Sequence, residues 1–216
     1  MFIGHFAIAY LFIALVPGVP ALIPLLGVSF PDLLWPFLVL AGIEKVKVDP
    51  ASPRQDSVVF LSYPYSHSLL LGTLIAVIPG AIFGFFFGIT AGVVFVVASA
   101  SHWLLDSIVH IKDLPVLGFG RDKIAGAGLW KSGPAAFVIE LAFYTILTLV
   151  FAPAGTAVAL LVLGFLFHLI NANSFFGFSK NNPFKTPRAY AGVCLVGFVV
   201  FILVADLVIS GGWWNF

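Results

Sequence analysis

Charge is scarce in this chain. Lys, Arg, Asp and Glu make up 9% of 216 residues, while hydrophobic residues make up 61%. Soluble domains carry about 25% charged residues, so a soluble globular fold is excluded. There is one cysteine, Cys194, which excludes an internal disulfide and a cysteine-ligated metal cluster. The net charge of +1 offers no footprint for a nucleic acid. The first apolar run lacks a preceding basic segment, so no cleavable signal peptide is expected. A fixed repeat and a low-complexity linker are also missing. Residues 1–216 therefore read as a single integral membrane domain.

What is present is a series of apolar runs long enough to cross a bilayer. The ten Lys and Arg residues fall in three stretches. Lys45, Lys47 and Arg54 form the first, Lys112, Arg121, Lys123 and Lys131 the second, and Lys180, Lys185 and Arg188 the third. The positive-inside rule puts all three in the cytoplasm. Residues 65–108 between two such loops must supply two spans, with a break expected near Pro79-Gly80. Residues 134–177 supply two more, broken near Pro153 to Gly155. Residues 1–44 supply an N-terminal pair, broken around Pro17 to Pro24. Residues 188–210 supply a last span, ending at Gly211-Gly212-Trp213-Trp214, where the paired Trp suit a membrane interface. The fold class is all-α: a polytopic bundle of about seven transmembrane helices with the N-terminus cytoplasmic. Pro17, Pro20, Pro24, Pro31 and Pro36 point to broken or re-entrant helices in the N-terminal pair. Gly80, Gly84, Gly88 and Gly92 recur every four residues, a spacing that lets helices pack closely in lipid.

The segment SHWLLDSIVH holds His102, Asp106 and His110 at intervals of four. On a helix these share one face. Ionisable groups inside a membrane are costly, so the row marks either a metal or proton-handling site or a helix end leaving the membrane. The charge map places other polar residues at the same level. His5 opens the first helix, and His67 follows the first basic loop. Glu140 lies about two turns into its helix. His168, Asn171 and Asn173 close the helix before the third basic loop. Asp206 lies toward the other side. Imidazole and carboxylate without thiolate suit zinc, manganese or iron, so a divalent metal, zinc first among them, is expected. His102 and Asp106 are the strongest ligand pair. His110 is a third ligand, an outer partner or an interfacial histidine. Ser66 is placed to cap a helix around His67, which would stay neutral at a helix start. Pro31-Asp32 reads either as a ligand-bearing pair or as a helix start. His168 reads as a hydrogen-bonded core residue, and Glu140 as a general base or an interfacial ion partner.

Gly4-His5, Pro31-Asp32, Ser66-His67-Ser68, and His102 with Asp106 form an ordered series. It resembles the membrane-bound metal-dependent hydrolase family that includes the LexA-regulated, DNA-damage-inducible inner-membrane proteins of bacteria. The family pattern runs GH, PDxD, THS, HxxxD. The strings FPDLLW, SYPYSHSLL, HWLLDSIVH, Lys112-Asp113-Leu114-Pro115 and GLWKS resemble a nearer bacterial branch. The resemblance covers roughly residues 1–140. It implies metal ligation by His5, Asp32, His67, His102 and Asp106, with Glu140 or His110 handling protons, in a multi-pass protein of a bacterial or archaeal inner membrane. Two departures stand out. Leu34 replaces the second Asp of PDxD, and Ser66 replaces the Thr of THS. HxxxD followed by a nearby His is also similar to zinc-dependent phospholipase C, which implies phosphoester hydrolysis.

Three functions follow. The first is a membrane-embedded metal hydrolase acting on a phospho- or acyl-lipid, with Arg121, Lys123 and Lys131 attracting an anionic headgroup. The second is a structural or assembly subunit of a larger membrane complex, suited by 24 Phe residues and glycine-rich helix faces. The third is a permease, a homo-oligomer with a shared pathway among its variants, favoured by the prolines but not by polar residues gathered at one side.

Overall fold

The computed structural model describes residues 2–211. It is an all-α bundle with two minimal β-hairpins. The helices are α1 (Ile3–Leu15), α2 (Leu22–Leu40), α3 (Pro64–His67), α4 (Leu69–Phe87), α5 (Ile89–Val109), α6 (Gly133–Phe151), α7 (Ala157–Ile170), α8 (Ala172–Phe176) and α9 (Pro187–Ser210). Among the described residues, five of these, α2, α4, α5, α6 and α9, are long and apolar enough to cross a membrane. With the shorter apolar α1 and α7 they account for the seven expected helices. Trp213 and Trp214 lie outside the described residues.

The hairpins pair β1 (Lys45–Lys47) with β2 (Val59–Ser62) and β3 (Leu114–Pro115) with β4 (Ile124–Ala125), both antiparallel. They sit in the first and second basic loops. The second and third basic loops both touch the first. Arg54 Nη2 donates to Lys131 O at 3.4 Å, and Asn182 donates its backbone N–H to Pro50 O at 3.0 Å and its amide to Ser52 O at 3.1 Å. The loops therefore share one end of the bundle, as the charge map requires.

At the centre is α1, which is only about 20 Å long and so shorter than a hydrocarbon core of ~30 Å. It packs against α2, α5, α6 and α7. Ile3, Phe6, Ala7 and Tyr10 are fully buried and anchor the main core with Leu25, Tyr144, Leu160 and Phe201. The opposite case is α4, which packs mainly on α5 and presents Leu74, Ile78, Phe85 and Phe86 outward.

Two helix boundaries differ from the sequence reading. The turn between α4 and α5 falls at Gly88, not at Pro79-Gly80, and Pro79 is inside α4. Gly88 has φ of 90°, a conformation that favours glycine. Gly80 serves a different purpose. A Cβ there would lie 2.5 Å from Val96 Cγ2, and one on Gly92 would collide with Gly80 O. These glycines bring α4 and α5 into contact, as their spacing suggested. In α2 the helix continues through Pro31 and Pro36, so Pro31-Asp32 is mid-helix and not a helix start. The break in the N-terminal pair is confined to residues 16–21. Buried contacts with α1, α5 and α9 hold α2 helical despite its prolines.

Candidate metal centre

The site is assembled from α1, α2, α3 and α5. At Gly27, α2 comes so close to α5 that a Cβ would stand 2.8 Å from Ala98 Cβ. One residue on, Val28 C=O accepts a hydrogen bond from His102 Nδ1 at 2.7 Å. Pro31 disturbs this turn of α2, because it has no N–H to give the preceding turn and its ring crowds it. The carbonyl that Pro31 leaves without a helical donor is that of Gly27, and Val28 C=O has a second lone pair with which to accept from His102.

That bond fixes the histidine. Nδ1 carries the proton, so in the neutral ring Nε2 presents a lone pair. It points into a carboxylate pair: Asp106 Oδ2 at 3.1 Å and Asp32 Oδ2 at 3.7 Å. Nε2 is buried and makes no hydrogen bond with protein. A lone pair held against two carboxylates is repulsive unless a proton or a cation lies between them. A metal ion bound between Nε2 and the two carboxylates would meet that requirement.

His67 is prepared in the same way. Ser66 Oγ donates to Glu44 Oε2 at 2.7 Å, which leaves it to accept from His67 Nδ1 at 2.8 Å. His67 Nε2 then faces Asp32 Oδ1 at 3.3 Å and Asp106 Oδ2 at 3.9 Å. Glu44 also accepts from the backbone N–H of Tyr65 at 2.9 Å and Ser66 at 3.0 Å, so it caps α3. Burial pushes its carboxyl above the ordinary value, against the pull of the Ser66 bonds and of His67. Ser66 is therefore a bridge and not a cap. The capping role falls to Ser68, whose Oγ accepts from Gly72 N at 3.0 Å at the start of α4.

His5 stacks on His102 with ring centroids 3.7 Å apart and planes within 9°, an arrangement that two protonated rings would oppose. Its Nε2 is 3.1 Å from Asp106 Oδ1. His5 is held in place by Glu140, whose Oε1 accepts from the backbone N–H of Phe2 and, at 3.2 Å, of Gly4. Glu140 thus holds the start of α1, the contact that its place two turns into α6 provides.

His110 ends α5. Its Nε2 is 3.4 Å from Asp106 Oδ2, while Nδ1 meets Asp113 Oδ1 at 3.1 Å and Tyr63 OH at 3.3 Å. Trp130 lies against the ring at 4.2 Å between centroids.

The structure thus brings together His5, Asp32, His67, His102 and Asp106, with His110 alongside. Two overlapping groups, His5–His102–Asp106 and Asp32–His67–His102, each place one donor atom per residue within 4.8 Å of the others. Donors bound at ~2.1 Å around one ion stand roughly 3 to 3.5 Å apart. His5–Asp106, His102–Asp106 and His67–Asp32 lie in that range, His102–Asp32 and His67–Asp106 are wider at 3.7 and 3.9 Å, and the buried His/Asp groups could hold a metal ion. No family model, curated protein or solved structure matches this chain.

A cavity of about 470 Å³ opens beside the cluster. Asp32, His67, Asp106, His110 and Glu140 line one part of it, and apolar residues of α7 and α9 line much of the rest. Among the described residues, Arg121, Lys123 and Lys131 do not line it; Trp130 and Phe184 occupy the loop side instead. His168 is apart, with Nε2 donating to Phe137 O at 2.9 Å and the ring stacked on Phe137, a core residue as its sequence position suggested. Sequence reasoning missed Glu44, Tyr63, Asp113 and Trp130. Asp113 had a signal, three residues after His110. Glu44 had none, since among Lys45 and Lys47 it resembles a solvated loop charge.

Proposed function

We propose that this chain is a membrane-embedded metal-dependent hydrolase of the zinc type, acting on a phospho- or acyl-ester of a membrane lipid. The observation that carries the proposal is His102, whose protonated Nδ1 is tied to Val28 and whose bare Nε2 is aimed at Asp32 and Asp106. His5, Asp32, His67, His102 and Asp106 would hold the ion. A bound ion of this kind lowers the pKa of water and polarises a phosphoryl or acyl oxygen. Zinc is favoured by a donor set of imidazole and carboxylate without thiolate.

The chain's own groups supply the rest. His110 is a proton carrier: its Nε2 faces the cavity side of Asp106, and Asp113 holds Nδ1–H and stabilises the ring when it gains a proton. Tyr63 adds a second contact at the same nitrogen. Glu140, by holding the start of α1, positions His5. The apolar cavity limits water around the ester. The GH, PD, HS and HxxxD elements converge on one point, which supports the family resemblance. Leu34 removes one carboxylate from that pattern, and His110 stands near where another donor would help. The site lies near the end carrying the basic loops, which favours the cytoplasmic leaflet of a bacterial or archaeal inner membrane with a cytoplasmic N-terminus.

The test is metal analysis of protein purified in mild detergent, followed by hydrolysis assays on short-chain phospho- and acyl-lipids. Metal at near-stoichiometric level is expected. His110→Ala is expected to keep the metal and lose about 10²-fold or more in kcat. Protein that carries no metal, and takes up none when it is supplied, would overturn the reading.

A further inference from the structure

The cavity does not end at the metal cluster. Val193, Val196, Gly197 and Val200 all line it. Their spacing of three, four and seven puts them on one face of α9. Val196 is 61% exposed and Val200 41%. A residue that both lines a cavity and reaches the outer surface marks an opening. This one runs along the flank of the bundle at Val196 and Val200 of α9 and continues to the loop end, where Ile170 closes α7 and Asn182 and Phe184 line it. Counting from Pro187, residues 193–200 are about 9 to 20 Å along α9. That depth is hydrocarbon, whereas Asp106 and His110 are at the loop end of α5.

One space therefore joins a His/carboxylate cluster at headgroup depth to a side opening at acyl-chain depth. Water-soluble substrates have no use for such an opening. A lipid enters it without leaving the bilayer, and its acyl chain stays in an apolar environment throughout. We propose that the cavity is an acyl-chain site: one chain of a membrane lipid lies along the Val193–Val200 face of α9, entering laterally, with its polar end at Asp32, Asp106 and His110. The proposal rests on the hydrolase reading for what becomes of the lipid, not for its binding.

Gly197 sets the width of the site. A Cβ added there meets nothing within 4 Å, so a larger side chain projects into open space without striking protein. Gly192 on the same helix also has nothing within 4 Å but does not line the cavity. The pair makes a controlled comparison of equal bulk on one helix.

The experiment places full-length protein in phosphatidylethanolamine/phosphatidylglycerol nanodiscs containing a phospholipid with a diazirine on one acyl chain. After illumination, crosslinked peptides are mapped by mass spectrometry. Crosslinks are expected to concentrate on Val193–Val200 and Phe167. Gly197→Trp should reduce them at least fivefold, Gly192→Trp should not, and both variants should keep the wild-type melting temperature within a few degrees. Gly197→Leu, a milder change, serves if the Trp variant does not fold, with at least a twofold reduction expected. Protein stripped of metal with EDTA should give the same crosslinks, so a failed hydrolase reading leaves this result intact. Crosslinks spread equally over the outer face of α4 at Leu74, Ile78 and Phe85, or unchanged by either Gly197 substitution, would overturn the proposal.

Discussion

His102 and His168 invite comparison. Both are buried, both lie within about two turns of the loop end of an apolar helix, and each gives one ring N–H to a backbone carbonyl of a neighbouring helix. They differ in what the other nitrogen meets. His168 Nδ1 has no hydrogen-bond partner, and its ring lies on Phe137 and near Phe175. His102 Nε2 meets two carboxylates. A buried histidine is therefore not in itself a sign of chemistry. What makes a site is the placement of negative charge on the side of the ring that the structural hydrogen bond leaves bare.

The most damaging change to this distinction is at Asp106. It stands within 4 Å of His5, His67, His102 and His110, so it is the common member of the cluster. Asp106→Asn removes the charge but keeps the volume. We expect metal binding to fall below detection by elemental analysis, with the protein still helical by circular dichroism. An Asp106→Asn protein that retains stoichiometric metal would place the ion elsewhere and erase the difference between the two histidines.

How much of this was legible in the sequence follows from what each residue's partner requires. His102 and Asp106 are four apart on one helix, so their proximity is local and could be read directly. His5, Asp32 and His67 come from other elements; the charge map gave the depth of His5 and His67 but left that of Asp32 open, and the motif series gave their association. Pro31 looked like a helix start because an isolated chain pays for a proline inside a helix. In the bundle, α1, α5 and α9 surround that turn, and the helix continues. Gly88 looked like one more packing glycine because spacing does not reveal φ. Glu44 was invisible for a similar reason: its burial depends on α3 folding back over it, a contact between residues 21 and 22 positions apart.

A smaller effect is expected at Glu44, which touches none of the ligand atoms but orders Ser66 and hence His67. With Glu44→Gln the bridge to Ser66 loses its charge, and an amide NH2 can face the hydroxyl that must accept from His67. Outer partners of this kind are worth about 10- to 100-fold in metal affinity. We expect a loss in that range by competition with a chelator, and full occupancy when metal is supplied in excess. Unchanged affinity would mean that the tautomer of His67 is set without the carboxylate.

The smallest effect is expected at His168, and it tests the comparison from the other side. His168→Phe removes one hydrogen bond to Phe137 O, a carbonyl within α6. It also removes Nδ1, a buried nitrogen that has no hydrogen-bond partner. A net hydrogen bond contributes about 0.5–1.5 kcal/mol, and an unsatisfied buried polar atom costs a similar amount, so the two losses nearly cancel. The Phe ring keeps the stack on Phe137 and the contact with Phe175. The expected outcome is a melting curve in detergent within about 1 kcal/mol of wild type, with metal content and hydrolysis unaltered. Loss of metal in this variant would show that α7 is coupled to the cluster, and that a carbonyl partner and an aromatic stack do not suffice to mark a histidine as structural.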